Sequence, residues 1–137
     1  MAGKAIIVCA LAAASAYAQK PTGDPASLLG TWRGTSTCTD RRAAPACADE
    51  VVVYEFKPGS EAGAVRWLAD KIVDGKRESM GEVELRWDGA ESVWKAEFSS
   101  PRVKSVWKLS VDGPHLTGRA QLLPGNETIR RIDVKKE

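Results

Sequence analysis

From Leu29 onward, apolar and polar residues alternate with a period of two, in stretches broken by turn residues, and no helical period of 3.6 persists for any length. The pattern predicts eight strands, over 29–37, 49–57, 64–73, 77–87, 92–99, 103–111, 116–122 and 128–135. Between them lie Asp74-Gly75, Asp88-Gly89 and Asp112-Gly113, dipeptides that tolerate positive φ and close tight hairpins, together with Ser100-Pro101 and Pro124-Gly125-Asn126. Consecutive hairpins make a meander. An open eight-stranded meander would leave two unpaired rims, so the predicted fold is all-β, a single antiparallel up-and-down barrel closed on itself.

The phase of the alternation assigns side chains to the two faces. Tyr54 and Phe56, then Trp67 and Ala69, Val83, Leu85 and Trp87, Trp94, Ala96 and Phe98, Trp107 and Leu109, and finally Ile132 and Val134 fall on the inner face. Glu82, Glu84, Arg86, Lys95, Glu97, Lys104 and Lys108 fall on the outer one, where opposite charges meet across neighbouring strands. Val51 and Val53 are assigned outward, a surface on which a weak dimer can form. The chain has five tryptophans, and aromatic side chains of this size dominate core energetics. An eight-stranded barrel is only just wide enough to be packed solid or to hold one small ligand. The ligand-lining candidates are Tyr54, Phe56, Trp67, Trp87, Trp94, Phe98 and Trp107.

The N-terminus has the order of a secretory leader: a charge at Lys4, an apolar stretch from Ala5 to about Ala14, and the exit Ala16-Tyr17-Ala18. Cleavage is expected after Ala18, leaving a flexible arm over 19–27 and a barrel domain over 28–137 in the periplasm or outside the cell. The leader's apolar stretch is shorter than the roughly 20 residues a membrane-spanning helix needs, so the mature chain carries no integral membrane segment of that kind. Cys9 leaves with the leader. Cys38 and Cys47 remain as an even pair in an oxidising compartment, which favours a disulfide. A metal site is disfavoured, because two thiols and one distant histidine, His115, fall short of the four ligands of structural zinc. The formal net charge of +2 argues against a polyanion-binding surface, so nucleic acid is not the expected partner.

A Gly-Thr-Trp triplet, Gly30-Thr31-Trp32, opens the first strand; a long first loop and seven more strands joined by short turns follow. In this the chain resembles the lipocalin and calycin superfamily, eight-stranded barrels that carry small, mostly apolar ligands. The resemblance implies that Trp32 plugs the closed end and that Arg130 or Arg131, from the end of the chain, lies against its indole. The superfamily's usual Thr-Asp-Tyr motif and the helix after the barrel are absent. With Trp32 at the closed end, the loops holding Cys38 to Ala48, Asp74 to Lys76, Ser99 to Arg102 and Leu123 to Glu127 fall at the open end. There Arg41, Arg42 and Arg102 are candidates to hold an anionic head group at the rim by charge-assisted hydrogen bonds.

Catalysis is not expected. His115 follows a Gly-Pro turn with no nucleophile near it in sequence, and the Glu82 and Glu84 pair shares a solvent-facing side that lacks the apolar surroundings needed to raise an acid's pKa. No cofactor is implied. Two functional classes remain: a non-catalytic carrier of a small hydrophobic or anionic amphipathic molecule, and a protein-binding module. The second rests on a likeness to bacterial inhibitors of secreted metalloproteases, small Gly-x-Trp barrels in which an N-terminal arm enters the protease cleft; here that arm would be 19–27. A barrel with a solid core is the remaining alternative.

Overall fold

The structure, a computed structural model, describes residues 21–137. The leader, its cleavage site and the first residues of the arm lie outside the described residues. Eight antiparallel strands form a closed barrel in sequential order: β1 (Gly30–Cys38), β2 (Glu50–Pro58), β3 (Val65–Val73), β4 (Lys76–Asp88), β5 (Val93–Ser99), β6 (Lys104–Asp112), β7 (His115–Leu122) and β8 (Glu127–Lys136). Closure comes from β1 pairing with β8 over seven positions, from Trp32↔Lys136 to Cys38↔Arg130. Each predicted strand is present, with ends displaced by a single residue at most, because the turn residues between them permit little else.

The turns differ in how they work. Asp74 and Gly75 both take positive φ, 51° and 77°, as a two-residue hairpin requires. Asp88-Gly89 does not close such a hairpin. There the Asp88 carboxylate accepts hydrogen bonds from the backbone N–H groups of Ala90 and Glu91, and the positive φ falls on Ser92.

The inner face is filled unevenly along the barrel axis. At the closed end Trp32 is fully buried, donates its indole N–H to the Leu28 carbonyl at 2.8 Å, and meets Phe56 edge-on at 6.5 Å. Trp94 and Trp87 are cross-strand partners at the same end, 5.7 Å apart. The segment leading into the barrel covers them. Trp94 donates its indole N–H to the Thr22 carbonyl at 3.1 Å, Gly23 lies so close to the Trp87 indole that a Cβ would collide with it, and Asp24 caps a short 3-10 turn, Pro25–Ser27. Residues 22–28 therefore form the floor of the barrel, where a flexible arm is expected from sequence. Three inward tryptophans and a buried leucine supplied the reason, since only a docked segment keeps them dry.

The cation over Trp32 is Lys136, 5.6 Å from the ring centre, and neither Arg130 nor Arg131. Register explains the correction: Trp32 pairs with Lys136, whereas Arg130 pairs with Cys38 at the other end of β1. Val53, assigned outward, is nevertheless buried beside its ladder neighbours Arg33 and Asp70, while Val51 is exposed.

Cys38 and Cys47 form a disulfide at the open end. The bonded residues are 9 positions apart, a short loop for which chain entropy gives a stabilisation of about 2–3 kcal/mol. The double variant Cys38→Ser/Cys47→Ser is expected to lose that amount in urea unfolding while keeping its β-type circular dichroism. An unchanged midpoint would mean that the loop is ordered by its other bonds alone.

Candidate functional site

Above the packed floor the barrel is hollow. A cavity of about 290 Å³ is lined by Ser36 of β1, Glu50 and Tyr54 of β2, Trp67 and Ala69 of β3, residues 80–83 of β4, Phe98 of β5, Trp107 of β6 and Arg130 of β8. Its size sits at the lower end of the range for small-molecule sites. Most of the lining is aromatic or aliphatic; Ser36, Glu50 and Arg130 converge on one side, and Glu82 stands on β4 across from them.

The aromatic wall is built by strand alternation. Tyr54 and Trp67 are both inward-facing on adjacent strands; Tyr54 pairs directly with Trp32 of the floor and Trp67 with Phe56. Trp67 meets Tyr54 edge-on at 5.0 Å and Trp107 edge-on at 5.6 Å, and stacks on Phe56 at 6.0 Å. Such offset and perpendicular pairs contribute roughly 0.5–1.5 kcal/mol beyond burial alone and hold the rings in place. Trp107 donates its indole N–H to the Ser105 hydroxyl, whereas the Trp67 indole N–H is buried without a hydrogen-bond partner. Small Ala69 and Gly81, paired across β3 and β4, leave room beside these rings.

The polar side lies on β8, β1 and β2. Arg130 donates to the Ser36 hydroxyl at 2.9 Å and to the Ala48 carbonyl at 2.8 Å, and pairs with the Glu50 carboxylate at 3.5 Å. Arg130 and Glu50 are largely shielded, with side chains 14% and 19% exposed, so the pair is stronger than a surface ion pair and each charge needs the other. Burial pushes the Tyr54 phenol well above the ordinary tyrosine range; its hydrogen bond with Ser36 opposes the rise, the Glu50 charge adds to it and the Arg130 charge opposes it.

Four of the seven pocket residues expected from sequence meet here: Tyr54, Trp67, Phe98 and Trp107. Phe56, Trp87 and Trp94 face inward but belong to the floor, one alternation step or more toward the closed end, where Phe56 meets Trp32 and residues 22–28 cover the other two. The rim arginines do not line the cavity. Arg41 donates to the Cys47 carbonyl at 2.9 Å and sits 3.6 Å from the Asp49 carboxylate, and Arg42 and Arg102 are exposed. The cationic group that does reach the cavity is Arg130, which the expected contact with Trp32 had placed at the wrong end. Glu50 is a second residue missed from sequence, although its phase with Val52 and Tyr54 points it inward. Met80 and Gly81 were hidden by a β-bulge. β3 pairs Ala69 with Gly81 and Asp70 with Ser79, so Met80 is the extra residue, and Gly81 takes φ 120°.

The wall is incomplete on one side. β4 and β5 pair only at Arg86↔Lys95, Trp87↔Trp94 and Asp88↔Val93, although β4 runs on to Lys76 and β5 to Ser99. Toward the open end the two strands part, and the bulge at Met80 lies on the parting strand. Side chains of consecutive strand residues point to opposite faces, yet all four of Met80, Gly81, Glu82 and Val83 line the cavity. The hollow therefore continues around the free edge of β4 to the outside. Met80 and Phe98, 42% and 48% exposed, stand on the two strands that border this opening.

No protein-family profile matches the chain, and no curated protein matches it. The closed eight-stranded antiparallel barrel is consistent with a calycin-like fold. Among the described residues no helix is long and apolar enough to cross a membrane.

The shielded phenol gives a pH test. Because its folded pKa lies above the unfolded one, Tyr54 favours the fold while neutral; this contribution is intact below about pH 10 and is lost as the pH climbs beyond it. Urea midpoints should fall with pH above that value, and less steeply in Tyr54→Phe. Identical pH slopes for the two proteins would contradict the assigned burial.

Proposed function

We propose that this protein is a non-catalytic, extracytoplasmic binding barrel that holds one small hydrophobic or amphipathic molecule in the aromatic cavity. The observation that carries the reading is the contrast within one barrel: the closed half is packed solid with tryptophan, while the other half surrounds a cavity walled by Tyr54, Trp67, Trp107 and Phe98. An interior selected only for stability would be filled throughout, because empty apolar volume costs about 24 cal/mol per Å³. The lipocalin-like start at Gly30-Thr31-Trp32 and the disulfide support the same reading, as does the secretory character of the first eighteen residues. Export to the periplasm or beyond is the compartment this implies.

Residues 22–28 bear on the alternative, a protease inhibitor acting through its N-terminal arm. They are fastened to the barrel floor through Trp94, Trp87 and Trp32, so an arm of that kind would have to leave them exposed. No observation favours that reading over the carrier.

The expected polar selectivity comes from the Ser36, Glu50 and Arg130 side of the cavity and not from Arg41, Arg42 or Arg102. Filling the cavity tests the proposal. Ala69→Phe places a ring beside Trp67 and should weaken binding of the uncharged dye phenylnaphthylamine about tenfold or more, with a stability change within about 1–3 kcal/mol. Equal dye affinity in a folded variant would place any binding elsewhere.

A further inference from the structure

The barrel's polar cluster and its side opening lie opposite one another. In the closed order of eight strands, Ser36 and Arg130 stand on the β1/β8 pair, and the parted strands are β4 and β5, halfway round. The line between them crosses the aromatic cavity, past Trp67 and Trp107. A molecule held by both ends of this line is longer than the cavity is wide.

We infer that the ligand is a single-chain amphiphile with an uncharged, hydrogen-bonding head group, the head at Ser36 and Arg130 and the apolar chain leaving the barrel between β4 and β5 across Met80 and Phe98. This rests on the binding function proposed above and adds the ligand's shape and charge. The head is uncharged because the site is already balanced: Arg130 pairs with Glu50 and donates to Ser36 and to the Ala48 carbonyl, so an incoming carboxylate would also meet the Glu50 charge. The Ser36 hydroxyl, bonded to Arg130 and Tyr54, keeps one further position as donor or acceptor. The chain is unbranched and long because a cavity of about 290 Å³ is small for a whole lipid tail, yet the hollow does not end at a wall. It passes the free edge of β4, where the bulge at Met80 turns the strand aside and sets an apolar side chain in solvent. Across the opening Phe98 does the same. Val73 and Val103, also exposed, lie at the open end, closing β3 and preceding β6. A thioether and a phenyl ring left half in water are explained if a chain covers them when the ligand is bound.

Calorimetric titration with straight-chain primary alkanols, from hexanol to dodecanol, tests this on the mature protein with its disulfide intact. Each methylene transferred from water should tighten binding roughly threefold to fourfold, and the gain should persist to dodecanol. In the double variant Met80→Ser/Phe98→Ser the gain per methylene should collapse for the longer members, and Met80→Leu/Phe98→Leu should restore it; the readout is the slope with chain length, not the absolute affinity. A wild-type affinity that levels off at the short members would overturn the exit between β4 and β5 while leaving the binding function standing. An alkanoate that binds more tightly than the alkanol of equal length would overturn the uncharged head. Absence of binding at every length would overturn the binding function itself.

Discussion

The pairing of β1 with β8 is the constraint on which everything else depends. It converts a meander into a closed wall and fixes which residues share each level of the interior. Gly34, at its centre, admits the close approach: a Cβ there would collide with the Asp133 carbonyl and with the Val134 backbone. One end of this ladder sets Lys136 over Trp32, and the other sets Arg130 beside Ser36. The apolar plug and the polar cluster are thus two ends of a single strand pair, separated by the length of β1.

Packing then follows from how large and small residues are distributed along the axis. Trp32, Phe56, Trp87 and Trp94 crowd the closed end, and the backbone carbonyls of Thr22 and Leu28 satisfy the indole N–H groups of Trp94 and Trp32. At the other end Ser36, Ala69 and Gly81 are too small to meet across the interior, so Tyr54, Trp67 and Trp107 become walls instead of filler. The two halves answer different demands. Burial of the floor stabilises the barrel, and the hollow above it is tolerated because its rings are braced against one another and against the floor.

The strands, their order and the disulfide were legible in the sequence because period-two alternation and Asp-Gly turns leave little freedom. Tyr54, Trp67, Phe98 and Trp107 were legible as inward aromatics, but their height along the barrel was not. Height depends on the register between strands, which shifts at the bulges near Met80 and between Ala120 and Gln121. The second of these lies between β7 and β8, just where Arg130 enters, and an arginine assigned by resemblance to the closed end proved to belong to the open one. Glu50 was readable in principle from its phase with Tyr54; a carboxylate next to Asp49, at the charged start of the predicted strand, masked it. The parting of β4 from β5 left no sequence signal beyond a single glycine, Gly81, inside a strand.

The open half of this barrel holds an apolar space walled by Tyr54, Trp67 and Trp107. Crystals pressurised with xenon test it without knowledge of any ligand, since dry or weakly hydrated apolar cavities take up this gas. The account predicts xenon density among Trp67, Ala69, Val83 and Trp107, and none between Trp32, Phe56 and Trp94. Xenon absent from the first position, with the indoles of Trp67 and Trp107 closed over it, would contradict the account.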